Sequence, residues 1–316
     1  IKPEVVEYGG CLVHDENTPR LVALHPQVSP WTVRSTLHGG SALGRDQVGT
    51  SFAAPKVSHI LATIQKEFPD ESALLYRALL IQSARWPEWT RTWGDPYHVL
   101  RHIGYGIPDV RRATENNNYR ITFITRGENR ISGNQVHIYQ IIIPESLRNP
   151  ADSHEILIEI TLSYKAEPRR TRRNRRNYLS IWLEWDTSKK SESLESFLAR
   201  MTDFTFEDQE NLTNNRIEQG DNIPWTIHKR SDWGKIKGVN RDDNTVQKDW
   251  AIINSHEWPE SFYVAVIGHK GWNPDLEATV PYALAVSFEA MNRDIEIYQS
   301  IAVENEIEVL IESRVD

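Results

Sequence analysis

The sequence contains few of the residues that build disulfide frameworks, metal clusters or membrane spans. Its 316 residues include a single cysteine, Cys11, which excludes an internal disulfide and a cysteine-based metal cluster. It has no run of about 18 apolar residues. Its first ten residues, IKPEVVEYGG, lack the basic start and apolar middle of a secretory signal. We therefore expect no membrane insertion, and the low cysteine content favours a cytoplasmic location over a secreted one.

An excess of positive charge is also missing. The formal net charge is −8, which argues against nucleic-acid binding by the surface as a whole. One segment departs from this balance, because EPRRTRRNRR at residues 167–176 carries Arg169, Arg170, Arg172, Arg173, Arg175 and Arg176. Two interpretations stay open, a solvated hairpin tip or a docking site for an acidic partner or a phosphate-bearing polymer.

The chain contains two regions with different hydrophobic patterns. In the first, Val57, Ile60, Leu61 and Ile64 recur at the spacing of one helix face, and a second apolar run follows at 74–81. After residue 118 the pattern changes to β-branched and aromatic runs. We therefore predict two domains, residues 1–118 and 119–316.

The second region is expected to be an antiparallel β-sandwich. In EILIEITLSY every second residue from Ile156 to Tyr164 is apolar, which predicts a half-buried strand, and five other runs resemble it. They are RITFIT, VHIYQIII, YLSIWLEW, SFYVAVIG and YALAVSFEA. One helix is predicted where Leu194, Phe197, Leu198 and Met201 follow helical spacing.

Ser51 stands in the segment GTSFAAPKVSHILA, between Gly49-Thr50 and an amphipathic run. A nucleophilic serine needs its hydroxyl exposed at the start of a helix, where unpaired N–H groups favour a developing oxyanion. Ala53 and Ala54 allow close packing of the first turn, and Pro55 is expected in that turn. Helix capping by Ser51 is the structural alternative.

This segment resembles the serine motif of the subtilases, the subtilisin-like serine peptidases, Gly-Thr-Ser-x-Ala-Ala/Ser-Pro. KPEVVEYGG at residues 2–10 resembles the segment that precedes that serine, with Glu7 and Tyr8 where Ala and Pro are usual. LRHIGYGIPDVRRA at 100–113 resembles the segment that closes the catalytic domain. The resemblance covers about the first third of the chain.

The resemblance implies the C-terminal part of an α/β domain with a mostly parallel sheet, in which Ser51 attacks a peptide carbonyl. It implies no cofactor; structural calcium occurs in the family, but no calcium loop can be placed here. The histidine and aspartate of the triad precede the serine in subtilisins.

The rest of the triad is expected outside these residues. The Lys-Pro segment follows both the histidine and the aspartate in the family, so residues 11–48 correspond to an insertion. His38 in HGG is therefore a poor base, and Asn17 a poor oxyanion donor. We expect an upstream segment or a separate chain to supply the triad partners, and the chain alone to be an incomplete peptidase acting on peptides or proteins. An interaction module built on a subtilase remnant is the alternative.

Overall fold

The computed structural model describes residues 1–14, 21–22, 32–33, 47–169, 178–206, 222–275, 277–302 and 309–314. Within these residues, a group of helices lies against a β-sandwich of two antiparallel sheets. This confirms the combination of a helical region with an antiparallel β region. The parallel sheet of a complete catalytic domain and the division at residue 118 stay predictions.

The helical region begins with two short paired strands, β1 (Val13–His14) and β2 (Leu21–Val22). The helices that follow are α1 (Thr50–Glu67), α2 (Ala73–Ser83), a 3₁₀ turn (Glu88–Trp93), α3 (Pro96–Ile103) and α4 (Val110–Thr114). Side-chain caps begin three of these helices, because Ser72, Asp95 and Asp109 each accept a bond from a first-turn N–H group.

The first sheet of the sandwich has the strand order β3-β10-β6-β8, with β4 also paired to β10. Its strands are β3 (Arg120–Ile124), β4 (Asn129–Ser132), β6 (Glu155–Tyr164), β8 (Val246–Asn254) and β10 (Thr279–Ala290). The long strand β10 is central, since it pairs antiparallel with β3, β4 and β6.

The second sheet has the order β11-β5-β9-β7, with all pairs antiparallel. Its strands are β5 (Gln135–Ile142), β7 (Ile181–Thr187), β9 (Ser261–Lys270) and β11 (Val309–Arg314). Helix α5 (Leu194–Phe206) confirms the predicted helix and packs on this sheet through Phe197 and Met201. A short helix, α6 (Tyr298–Ala302), follows β10.

The prediction of a half-buried strand at 155–164 was wrong in one respect. Ile156, Ile158 and Ile160 face the core between the sheets, as expected, but Leu157 and Glu159 on the opposite face are buried as well. The reason is that α2 covers the outer face of β6 and β10. The middle of the first sheet, at β6 and β10, is therefore covered on both faces.

Helix α2 makes this contact with small and polar side chains. Ala78 meets Ala283 and Ala285 of β10 in one apolar cluster. Gln82, fully buried, donates to the Glu159 carbonyl at 2.9 Å and to Ser287 Oγ at 2.8 Å, and accepts from Thr161. Because α1 packs on α2 and α4, the helical region rests on the sandwich mainly through α2.

None of the described helices is both long enough and apolar enough to cross a membrane.

Candidate active site

Ser51 is the second residue of α1 and is exposed to solvent. Gly49 occupies the N-cap position and offers no side chain to the first-turn N–H groups. Capping by Ser51, the structural alternative, is therefore wrong for this helix. Within the described residues, no side chain forms a hydrogen bond with the Ser51 hydroxyl. The site thus combines a solvent-facing hydroxyl with uncapped N–H groups at the positive end of an 18-residue helix.

Pro55 lies deeper in the helix than expected. Helix α1 begins at Thr50, so Pro55 is its sixth residue and lies inside it. A helical N–H at position 55 would bond to the carbonyl of Ser51, and proline has no N–H to give. The prediction of a first-turn proline was wrong, and the consequence is that the Ser51 carbonyl lacks its helical donor.

The KPEVVEYGG segment holds the start of α1 in place. The Gly49 N–H donates to the Gly9 carbonyl at 2.7 Å, and a Cβ at Gly9 would overlap the Gly49 carbonyl. Lys56 Nζ donates to the Tyr8 carbonyl at 2.7 Å. Because this close approach needs glycine, the two motifs depend on each other for position.

The LRHIGYGIPDV segment contacts the first half of KPEVVEYGG. Tyr105 N–H donates to the Glu4 carbonyl at 2.9 Å, and Val6 N–H donates to the Gly106 carbonyl at 3.0 Å. Gly104 has a φ of 58°, and a Cβ there would overlap the Pro3 carbonyl. All three sequence landmarks therefore meet in one local structure.

Two comparisons with known proteins agree with this local structure. The model of the subtilase family matches residues 1–106. Over these residues the chain is similar to the subtilase family. An uncharacterized protein, y4bN of Sinorhizobium fredii (strain NBRC 101917 / NGR234), is 25% identical over 311 residues, which cover 95% of this chain and 66% of that protein. The chain thus spans slightly less than two thirds of this relative, and the likeness extends through the β-sandwich beyond the subtilase segment.

Among the described residues, no histidine side chain forms a hydrogen bond with the Ser51 hydroxyl. His14 lies in β1, and its position does not give Ser51 a hydrogen bond. His38, His25, Asp15 and Asn17 lie outside the described residues. The source of the base and of its aspartate therefore stays a prediction, as does the catalytic role of Ser51.

The role of the arginine-rich segment, residues 167–176, and the expectation that the reaction needs no cofactor also stay predictions. Arg169 N–H donates to the Tyr178 carbonyl at 2.9 Å, which joins the two ends of the segment. Residues 170–177, with five of its six arginines, lie outside the described residues. In the described part of the chain, no group of three or more His, Cys, Asp or Glu side chains is placed to hold a metal ion.

Sequence reasoning missed a network of charged side chains beneath the subtilase segment. Glu159 binds Arg85 at 2.8 Å, Arg112 at 3.0 Å and Lys248 at 3.1 Å, although it is buried. Burial opposes ionisation, but these three cations hold the pKa of Glu159 well below its usual range. One signal was available, since Glu159 is a charged residue in the middle of a strand, between Ile158 and Ile160.

Proposed function

We propose that Ser51 is the nucleophile of a subtilisin-like serine endopeptidase, whose histidine and aspartate come from an upstream segment or a separate chain. The observation that carries this proposal is the exposed, uncapped position of Ser51 at the start of α1. The hydroxyl is not used for helix capping, although three other helices of this region begin with a side-chain cap. Because the Ser51 hydroxyl forms no capping hydrogen bond, it can act as a nucleophile at the helix N-terminus.

The reaction would follow the acyl-enzyme course. Ser51 Oγ attacks the peptide carbonyl carbon while the imidazole takes the hydroxyl proton, and that proton then leaves with the amine product. Water, deprotonated by the same imidazole, hydrolyses the ester and regenerates Ser51. The N–H groups of the first turn of α1 support the developing oxyanion, together with an asparagine expected upstream. No cofactor is required, and the complete catalytic domain would contain the parallel sheet of the family.

A non-catalytic interaction module is the second candidate. It is favoured by the absence of a hydrogen-bonded base on Ser51 within the described residues. In that case the subtilase segment serves as a scaffold, and the β-sandwich with its arginine-rich segment binds the partner.

Labelling with a serine-directed fluorophosphonate tests both candidates. We expect weak labelling of the chain alone and strong labelling once the upstream half of the protein is present, because a serine without a base is a poor nucleophile. Ser51→Ala should abolish the strong labelling. Ser58→Ala is the matched control, since Ser58 is exposed on the same helix and bonds the Ala54 carbonyl.

Strong labelling of the isolated chain that Ser51→Ala removes would contradict the proposed source of the base. His38 would then be the first residue to mutate. No labelling with the upstream half present would favour the interaction module.

A further inference from the structure

A cavity lies where the subtilase segment meets the outer face of the first sheet. Its volume is about 260 Å³, and we call it the interface cavity. One side consists of residues that follow α2, and the other of residues from β6, β8 and the end of β10. Its charged side chains are Arg85, Arg91, Lys248 and Glu159, of which Glu159 is paired with Arg85 and Lys248. Trp86, Trp250, Ile252 and Met291 supply its aromatic and apolar wall.

The charges next to this cavity do not balance. Arg85, Arg112, Arg120 and Lys248 surround only two carboxylates, those of Glu159 and Glu289. Burial lowers the pKa of Lys248 to about 8 and the pKa of Arg120 to about 10, whereas Glu159 and Glu289 raise the pKa of Arg85. Uncompensated positive charge in a buried cluster is costly, and an added anion would lower that cost.

Several donors of these cations have no acceptor. The buried Nε atoms of Arg85 and Arg112 form no hydrogen bond, and neither Nε nor Nη2 of Arg120 does, although Arg120 is only 2% exposed. At the cavity, Arg91 is exposed and makes no ion pair or hydrogen bond within the described residues. Arg112 and Arg120 do not line the cavity, so the guanidinium groups that can meet a carboxylate or a phosphate there are those of Arg85 and Arg91.

The remaining wall is apolar and aromatic. The rings of Trp86 and Trp250 pack edge to face, with centroids 5.4 Å apart. Ile252 and Met291 are 38% and 40% exposed, so apolar surface is open to an incoming group. A volume of about 260 Å³ is at the lower end for ligand pockets and suits one ring with an acidic group.

We propose that the interface cavity binds a small organic anion, a single flat apolar ring that carries a carboxylate or a phosphate. The anion lies against Arg85 and Arg91, and the ring lies against Trp250, Ile252 and Met291. Such a ligand touches the subtilase segment and the β-sandwich at the same time. Its binding therefore stabilises their contact, and this inference does not depend on the catalytic role of Ser51.

Calorimetric titration of the whole chain with phenylacetate, phenyl phosphate and benzyl alcohol tests the proposal. We expect at least one anion to bind and the neutral alcohol to bind at least tenfold more weakly. The stronger of the two anions identifies the acidic group. At about 100 times its Kd, this anion should raise the Tm by roughly 4 °C.

Variants at the mouth locate the site without disturbing the buried network. Arg91→Ala should weaken anion binding about tenfold. Arg91→Lys should restore much of it, and Ile252→Glu should abolish it by repulsion. Arg111→Ala is the matched control, since Arg111 is exposed on α4 and lies outside the cavity. The proposal is overturned if neither anion binds, if benzyl alcohol binds as tightly as the stronger anion, or if Arg91→Ala and Ile252→Glu both leave the Kd of that anion unchanged.

Discussion

The helical region and the β-sandwich differ in what their sequences reveal and in how they are stabilised. The helical region carries recognisable motifs, yet its apolar cluster is completed by Ala283 and Ala285 of β10. The sandwich carries no such motif, yet its two sheets enclose a large core with fully buried side chains such as Trp185 and Phe262. The motifs and the largest apolar core of this chain therefore lie in different regions.

Buried charges join the two regions. Arg85 and Arg112 extend from the helical region to Glu159 and Glu289 on the sheet. Lys248 of β8 donates to the carbonyls of Ile81, Gln82 and Ala84, where it satisfies the C-terminal end of α2. A separation of the regions would leave these groups without partners, so we expect them to unfold together.

The change with the largest expected effect on this comparison is Glu159→Gln. It leaves Arg85, Arg112 and Lys248 around a neutral side chain, and breaking a buried ionic cluster costs about 3–5 kcal/mol. Urea unfolding followed by circular dichroism should show this loss in a single transition. Glu128→Gln is the control, since the pair of Glu128 and Arg130 is exposed and should contribute below about 1 kcal/mol. Two separate transitions would mean that the regions are independent.

A smaller effect on the free energy of unfolding is expected from His228, which lies in the segment before β8. Burial and the neighbouring Arg241 lower the pKa of His228 to about 4, from an ordinary value of 6.5. Below pH 6.5, His228 is protonated in the unfolded chain but stays neutral in the folded chain. The free energy of unfolding therefore falls as the pH drops from 6.5 to 4. Above pH 6.5 this contribution is constant.

His228→Asn should remove about 2–3 kcal/mol of that acid sensitivity. Asparagine suits the position because the φ of His228 is 65°. The measurement is the unfolding free energy of both proteins at pH 7 and pH 4. Since the carboxylates titrate in both proteins, the difference between the two curves isolates His228. Parallel curves would show that its protonation does not differ between the folded and unfolded states.

Apolar, β-branched and aromatic runs predicted most strands of the sandwich. The runs that became β3, β5, β6, β7, β9 and β10 were all predicted, and so was α5. Strand β8 was missed because it reads VQKDWAIIN, in which Gln247, Lys248 and Asp249 are all buried. Their burial is possible only because distant groups pair with them: the Leu183 carbonyl, the carbonyls at the end of α2, and the N–H groups of residues 226–228. These partners are distant in sequence, so the residues of β8 alone do not predict its burial.

The three landmarks came from short motifs, and the catalytic role of Ser51 stays a prediction. Two landmarks meet at Gly9 and Gly49, and the third meets residues 3–6 at Gly104, through close backbone contacts that glycine permits. The interface cavity was not predicted, because its two walls are about 50 to 200 residues apart in sequence. The loop RWPEWTRTWG at 85–94 supplies Arg85, Trp86 and Arg91 to the cavity, and its tryptophans and arginines are the one local feature that the sequence shows there.

The smallest expected effect concerns the residue with the most specific motif. Ser51→Ala should change the free energy of unfolding by less than about 0.5 kcal/mol, because the side chain is exposed and alanine favours a helix more than serine does. Ser72→Ala is the matched comparison, since Ser72 caps α2 by accepting from the Leu75 N–H at 3.3 Å, and its loss should cost about 1 kcal/mol. Two serines at the starts of neighbouring helices thus separate the two kinds of role. If Ser51→Ala costs as much as Ser72→Ala, Ser51 stabilises the helix after all, and its exposure no longer argues for a chemical role.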